Sequence, residues 1–128
     1  MPTASSVRLV RSAQLSDRAP YVYAAMAEQP SRWVFTAGAC PLDEHAATVA
    51  PSDVGAQAEQ VMANLRTALA AAGAALGDVV KSTVYVATSR QEDLLAAREV
   101  LRRHFGDTTL RAPCWAWRCW ATATSSWR

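Results

Sequence analysis

The sequence is poor in charge and cysteine, has no long apolar segment, and each shortage excludes a class of protein. Charged residues make up 19% of the 128 residues, and a formal net charge of +2 is too small to indicate nucleic-acid binding. No apolar run could cross a bilayer, and the first residues, MPTASSVRLVRS, lack the apolar core of a signal peptide. We therefore expect a cytoplasmic protein without membrane contact. Three cysteines, an odd number, do not predict a disulfide framework.

Metal-binding and phosphate-binding motifs are also missing. Cys114 and Cys119, with His104 upstream, have a spacing that fits no zinc template, so we predict no metal site. No glycine-rich phosphate-binding motif is present. His45 follows Glu44 in a polar stretch and is interpreted as a solvated loop residue.

The first third of the chain has the patterns of strands and a loop. Residues 7–11 alternate apolar and charged side chains, and 21–27 and 33–37 are rich in aromatic and β-branched residues. A Pro-Ser pair at 30–31 predicts a turn that joins the second and third strands as a hairpin. Prolines, a glycine and short polar residues at 38–51 predict an excursion loop.

A helical period follows this loop. Ser52 or Asp53 can cap the start of a helix, and Gly73 can end it. The predicted apolar stripe of this first helix consists of Val54, Ala58, Val61, Leu65, Leu69 and Ala72.

A strand and a second helix come next. Residues 79–86 are β-branched and predict a strand. A capping box at 89–92 opens the second helix and Gly106 closes it. Its apolar stripe is Leu94, Ala97, Leu101 and Phe105. The order β-β-β-α-β-α, with terminal strands expected afterwards, indicates an α+β fold with both helices on one sheet face.

Several of these segments resemble the RidA/YjgF family, whose members are also known as the endoribonuclease L-PSP family. The segments are PY at 20–21, FTAGACPLD at 35–43, QVMANL at 60–65 and AGAALGDVVKSTVY at 72–85, the last being the most specific. The likeness covers roughly 7–107. It implies a RidA-like (chorismate mutase-like) sheet and a homotrimer with clefts between subunits.

The resemblance also implies a chemistry. The family hydrolyses reactive 2-enamino and 2-imino acids to 2-oxo acids and ammonia, without a metal or an organic cofactor. Its site carries over to Tyr21, Gly38, Ala39 and Cys40 as substrate-binding residues. Arg111 lies within about one position of the family's PAR arginine, which grips the substrate carboxylate through a bidentate fork, and is the candidate catalytic residue.

The resemblance stops after Asp107. Four of the five tryptophans lie in the last fourteen residues. Tryptophan has the single codon TGG, and a frame moved back by one base can give PARALLGVAVLGYGDQLVEV, which carries the family's PAR and closing VEV. We therefore predict a RidA-like domain at 1–107 and an atypical tail at 108–128, produced by a frameshift, in place of the last strands. A divergent tail is the alternative interpretation.

Other functions stay open on the sequence alone. The family's serine and glutamine are Ala37 and Ala39 here, which favours a noncatalytic small-molecule-binding trimer as the alternative. RNA cleavage or translation inhibition ranks third, because no basic-aromatic pattern occurs outside the tail. Tyr21 could be a core aromatic residue, Arg111 a solvated loop residue and Cys40 a nucleophile.

Overall fold

Two α-helices and four short strands form the part of the chain that the computed structural model describes, namely residues 7–16, 18 and 22–106 and the backbone of 113–115. In chain order the elements are β1 (Val7–Val10), β2 (Ala24–Ala27), α1 (Val54–Ala71), a 3₁₀ turn (Leu76–Asp78), β3 (Ser82–Val84), α2 (Gln91–Phe105) and β4 (Pro113–Trp115). The predicted strands 7–11 and 79–86 are confirmed as the shorter β1 and β3.

Local signals at both ends determine the limits of α1. Asp53 is the N-cap residue, and its Oδ1 accepts a hydrogen bond from the backbone N–H of Ala56 at 2.9 Å. Beyond the other end, Gly73 has a φ of +68°, a backbone conformation in which a side chain would be strained. Both predicted ends of the helix are therefore confirmed, with Asp53 rather than Ser52 as the cap.

The start of α2 differs from the predicted capping box. Arg90 is the N-cap residue and makes no side-chain capping hydrogen bond. Instead, the Thr88 hydroxyl oxygen accepts from the backbone N–H of Arg90 at 3.0 Å, and the hydroxyl donates to the Asp93 carboxylate at 2.6 Å. The predicted capping box at 89–92 is therefore wrong, and Thr88 instead orders the residues just before the helix. The helix ends as predicted at Gly106, which has a φ of +69°.

The hydrophobic core lies between the two helices. Its buried members are Ala58, Met62, Ala97, Val100, Leu101 and Phe105. Met62 is the most buried residue, at 1% exposure, and the predicted stripe of α1 omitted it. The buried face of α1 therefore runs through Met62, and not along the line of residues counted from Val54. Burying these apolar groups is the main driving force for packing α1 on α2.

One strand connects this core to the sheet. Val84 of β3 and Val86, two residues later, pack against the core between the helices. Thr83, before Val84, and Tyr85, between the two valines, are exposed. This alternation is the period-two pattern of a strand with one face on the core. The described elements therefore form an α+β fold, as predicted.

The strand pairing corrects one prediction. β1 pairs antiparallel with β2, with Val7 opposite Ala27, and β3 pairs parallel with β4, with Ser82 opposite Pro113. The predicted hairpin of 21–27 with 33–37 is wrong, because 33–37 forms no strand and the partner of β2 is β1. The aromatic residues in 33–37 do not mark a face packed on the core of this subunit, since Phe35 is 91% exposed.

Within the described ranges, neither helix has the length and apolar character that a bilayer span requires.

Candidate functional site

The segment 37–42 carries three of the predicted site residues. Gly38 and Cys40 are exposed and Ala39 is half-buried, so all three lie at the surface of the subunit. Tyr21 and Arg111, the other two, lie outside the described residues. The structure therefore describes the substrate-binding loop of the predicted site but not its catalytic arginine.

Gly38 has no steric role within the subunit itself. A Cβ built on it would meet nothing within 4 Å, and its φ lies outside the left-handed region. The contacts of the described residues therefore do not require a glycine at this position.

The backbone amides of this segment are available as donors. Among the described residues, no acceptor is hydrogen-bonded to the N–H of Gly38, Ala39 or Cys40. The side chains of Ala37 and Ala39 add no polar group where the family has serine and glutamine. Main-chain N–H groups are consequently the main hydrogen-bond donors that this segment can offer to a small polar ligand.

The segment is held to α1 by one side chain. The Asn64 carboxamide donates from Nδ2 to the carbonyl oxygens of Cys40 and Leu42, both at 2.9 Å. The carbonyl oxygen of Cys40 also accepts from the backbone N–H of Leu42 at 2.8 Å, which closes a tight turn around Pro41. Pro41 adds rigidity because its ring fixes φ. Sequence reasoning placed Asn64 in a family-like helix but did not predict this contact.

Hydrogen bonds within the loop, from its backbone and from the Asp43 side chain, hold the rest of the predicted excursion loop. Leu42 and Thr48 form an antiparallel bridge, and the backbone N–H of Val49 donates to the carbonyl oxygen of Pro41 at 3.0 Å. Asp43 Oδ1 accepts from the backbone N–H groups of His45 and Ala47, both at 2.9 Å. The Asp43 carboxylate therefore stabilises the turn.

A shallow depression lies beside the loop, between its tip and α1. Its lining consists of Leu42, Asp43, Glu44, His45, Gln60 and Asn64. His45 is 81% exposed and lies 3.4 Å from the Glu44 carboxylate, which confirms the prediction of a solvated residue. No group of three or more histidine, cysteine or acidic side chains is placed to hold a metal ion within the described part of the chain.

Comparison with known proteins identifies the class to which this arrangement belongs. The described fold is similar to a crystal structure of a Rid family protein, YyfB, from Yersinia pestis, with a TM-score of 0.68 and 26% identity over 79% of this chain and 77% of that one. The family model described as Endoribonuclease L-PSP matches residues 12–123. The chain belongs to this family, the RidA/YjgF family, as the sequence motifs predicted.

Three relatives show the range of the family around this chain. A RutC family protein of Pyrococcus horikoshii is 34% identical over 70% of this chain and 67% of its own length. Protein DfrA of Myxococcus xanthus is 34% identical over 77% of this chain and 76% of its own. A 2-iminobutanoate/2-iminopropanoate deaminase of Salmonella typhimurium is 45% identical over 53 residues, which span 41% of each protein.

Proposed function

We propose that this protein hydrolyses reactive 2-enamino and 2-imino acids to 2-oxo acids and ammonia. The observation that carries the proposal is the surface segment 38–40, whose backbone N–H groups have no acceptor among the described residues and whose Cys40 carbonyl oxygen is held by Asn64. The 45% identity to the Salmonella deaminase, over 53 residues, supports the same chemistry.

The proposed reaction needs little from the protein. A protonated imine has an electrophilic carbon, so a water oxygen adds to it, the C–N bond breaks, and the nitrogen leaves as ammonia. The oxygen remains on carbon as the carbonyl group of the 2-oxo acid. Because the substrate is already reactive, holding it and the water in line is the main catalytic contribution. The amides of Gly38, Ala39 and Cys40 would bind the substrate and water by hydrogen bonds.

Arg111 would bind the substrate carboxylate. A guanidinium offers two parallel N–H donors to a carboxylate, which fixes both its position and its plane. Tyr21 would line the same pocket. These two roles rest on the family resemblance and make the site dependent on the start of the second predicted strand and on the tail. The proposed reaction uses no metal and no organic cofactor.

We propose a cytoplasmic homotrimer, with the sites in clefts between subunits. The exposed large apolar side chains of the described residues include Trp33 at 66%, Phe35 at 91% and Tyr85 at 74%. Burying such surface against another copy would be favourable. Molar mass by light scattering tests this proposal on a chain that carries PARALLGVAVLGYGDQLVEV in place of residues 109–128. A value near three times the mass of one chain supports the trimer, and a monodisperse monomer contradicts it.

A noncatalytic binding trimer is the second candidate. Ala37 and Ala39 favour it, because neither provides a side-chain group for activating water. The lifetime of a freshly generated 2-imino acid, measured with and without the protein, distinguishes the two functions. A deaminase shortens the lifetime of the imine in proportion to protein concentration, whereas a binder protects the imine or leaves its lifetime unchanged. Incubation with single-stranded RNA, with and without Cys40→Ser or Arg111→Ala, tests the third function; cleavage that these substitutions abolish would support it.

A further inference from the structure

Hydrogen bonds of the Asn64 side chain connect Gln60 of α1 to the loop at 40–42. Gln60, one turn earlier in α1, donates from Nε2 to Asn64 Oδ1 at 3.0 Å. Asn64 Nδ2 in turn donates to the carbonyl oxygens of Cys40 and Leu42. A carboxamide can be rotated by half a turn with little change of shape, and only its partners decide its orientation. The bond from Gln60 therefore directs the donor end of Asn64 towards the loop.

The hydrogen bond from Asn64 to Cys40 restrains the backbone around the Cys40 carbonyl group as well as that group itself. The carbonyl oxygen of Cys40 accepts from both Asn64 and the backbone N–H of Leu42, so two donors converge on it from different directions. A peptide plane held in this way limits the rotation of the residue before it. Asn64 and Gln60 are both half-buried, where competing water is reduced. The amides of 38–40 adjoin this fixed plane.

We propose that Asn64 is a positioning residue for the substrate loop, acting through the backbone of 40–42 to keep the amides of 38–40 aligned with the substrate and water. The inference rests on the proposed deaminase function, because it assigns a catalytic task to those amides. Asn64 itself does not touch the reacting atoms. Gln60 supports it by fixing the orientation of its carboxamide.

Asn64→Asp is the sharpest substitution, because it keeps the shape of the side chain and replaces the donor by a second acceptor. The carboxylate would face two carbonyl oxygens and release the turn. We expect kcat for imine hydrolysis to fall about 100-fold, since small misplacements of aligned groups have effects of that order. KM should change less than kcat, because the charged contact proposed for Arg111 with the substrate carboxylate does not depend on the loop.

Gln57→Ala is the matched control. Gln57 lies on the same helix and also donates its carboxamide to a loop carbonyl, that of Val49 at 3.3 Å, away from 38–40. Its loss should leave kcat unchanged even if the melting temperature falls. If Asn64→Asp and Gln57→Ala lower kcat and melting temperature in the same proportion, Asn64 is only a structural residue and the proposal is overturned.

A second readout separates this proposal from the deaminase function. Amide resonances of 38–40 in ¹⁵N-labelled protein should move or broaden in Asn64→Asp and stay in place in Gln57→Ala, whether or not the wild type is active. Unchanged resonances in Asn64→Asp would overturn the positioning role. An inactive wild type with the expected resonance changes would instead overturn the deaminase proposal and keep the role of Asn64 in ordering the loop.

Discussion

Glu59 Oε2 lies 2.5 Å from Nε2 of His104, and this contact joins α1 to α2 across 45 positions of sequence. Arg103 donates to the other oxygen of the same carboxylate at 2.7 Å. The two contacts lie beside the apolar core formed by the helices. A half-exposed carboxylate thus links two cationic or potentially cationic groups of the neighbouring helix, and the hydrogen bond from His104, followed by the charge of Arg103, lowers the pKa of Glu59.

The lowered pKa predicts a loss of stability in acid. A carboxylate whose folded-state pKa is depressed contributes stability above its unfolded pKa of about 4.3, and the contribution is lost as the pH falls through the lower folded value. Glu59→Gln should therefore lower the melting temperature by a few degrees near neutral pH and have a smaller effect at pH 3. Thermal melts followed by circular dichroism at both values test this. An equal decrease at both pH values would contradict the role of the charge.

Met62 should be the most sensitive core position. It is 1% exposed between the helices, so Met62→Ala removes buried apolar atoms and leaves a cavity. We expect a decrease of about 2–5 kcal/mol in the free energy of unfolding. Leu95→Ala on α2 is the control, because Leu95 is 53% exposed and its truncation should change the free energy by less than about 0.5 kcal/mol. Urea unfolding compares them, and equal effects would argue against the described core.

The helix cap gives a prediction that separates two neighbouring residues. The Asp53 carboxylate accepts from the backbone N–H of Ala56, and Asp53→Ala should cost about 0.5–2 kcal/mol of unfolding free energy. Ser52→Ala should have almost no effect, although the sequence alone allowed Ser52 as the cap. A larger loss for Ser52→Ala, again by urea unfolding, would show that the helix begins one residue earlier.

The tail leads to a prediction about the gene. We propose that 108–128 result from a shifted reading frame. The family model matches residues 12–123, which extends beyond Asp107, where the resemblance of the sequence motifs stops. DNA sequencing of the locus should show a neighbouring frame that encodes PARALLGV. No such frame would contradict the proposal.

A restored chain, in which PARALLGVAVLGYGDQLVEV replaces residues 109–128, provides a second test of the frameshift. Terminal strands of the kind that the family resemblance implies would pair with a sheet edge and enlarge the core of a small domain. We expect the restored chain to form a homogeneous trimer and the present chain to trimerise poorly or aggregate. A sharp, cooperative melt of a homogeneous trimer of the present chain would count against the frameshift.

Local patterns predicted the helices well. The ends of α1 follow from Asp53 and Gly73, whose effects act within one turn of the chain. The α+β class followed from the alternation of periods. Met62 was missed because the stripe was counted from Val54, whereas the partner helix determines which side chains are buried.

Long-range pairing was the part that sequence reasoning could not provide. The aromatic pattern of 33–37 predicted a partner for β2, but the ladder with β1 depends on register between distant segments. The contact of Asn64 with Cys40 spans 24 positions and involves only a backbone acceptor, which leaves no signature in the sequence. The contact between Glu59 and His104 joins two side chains 45 positions apart, and no local pattern of the sequence pairs them. The sequence therefore predicted the loop residues 38–40 of the site, but it did not predict that Asn64 of α1 holds this loop in place.

The rate of ammonia release from a 2-imino acid generated in the cuvette by an amino-acid oxidase tests the central claim most directly. After subtraction of spontaneous hydrolysis, we expect a rate that is proportional to the concentration of this protein and that falls at least tenfold in Arg111→Ala. Loss of the carboxylate-binding fork accounts for that decrease. A rate that equals spontaneous hydrolysis, with correctly folded protein present, would contradict the assignment of deaminase activity to this chain.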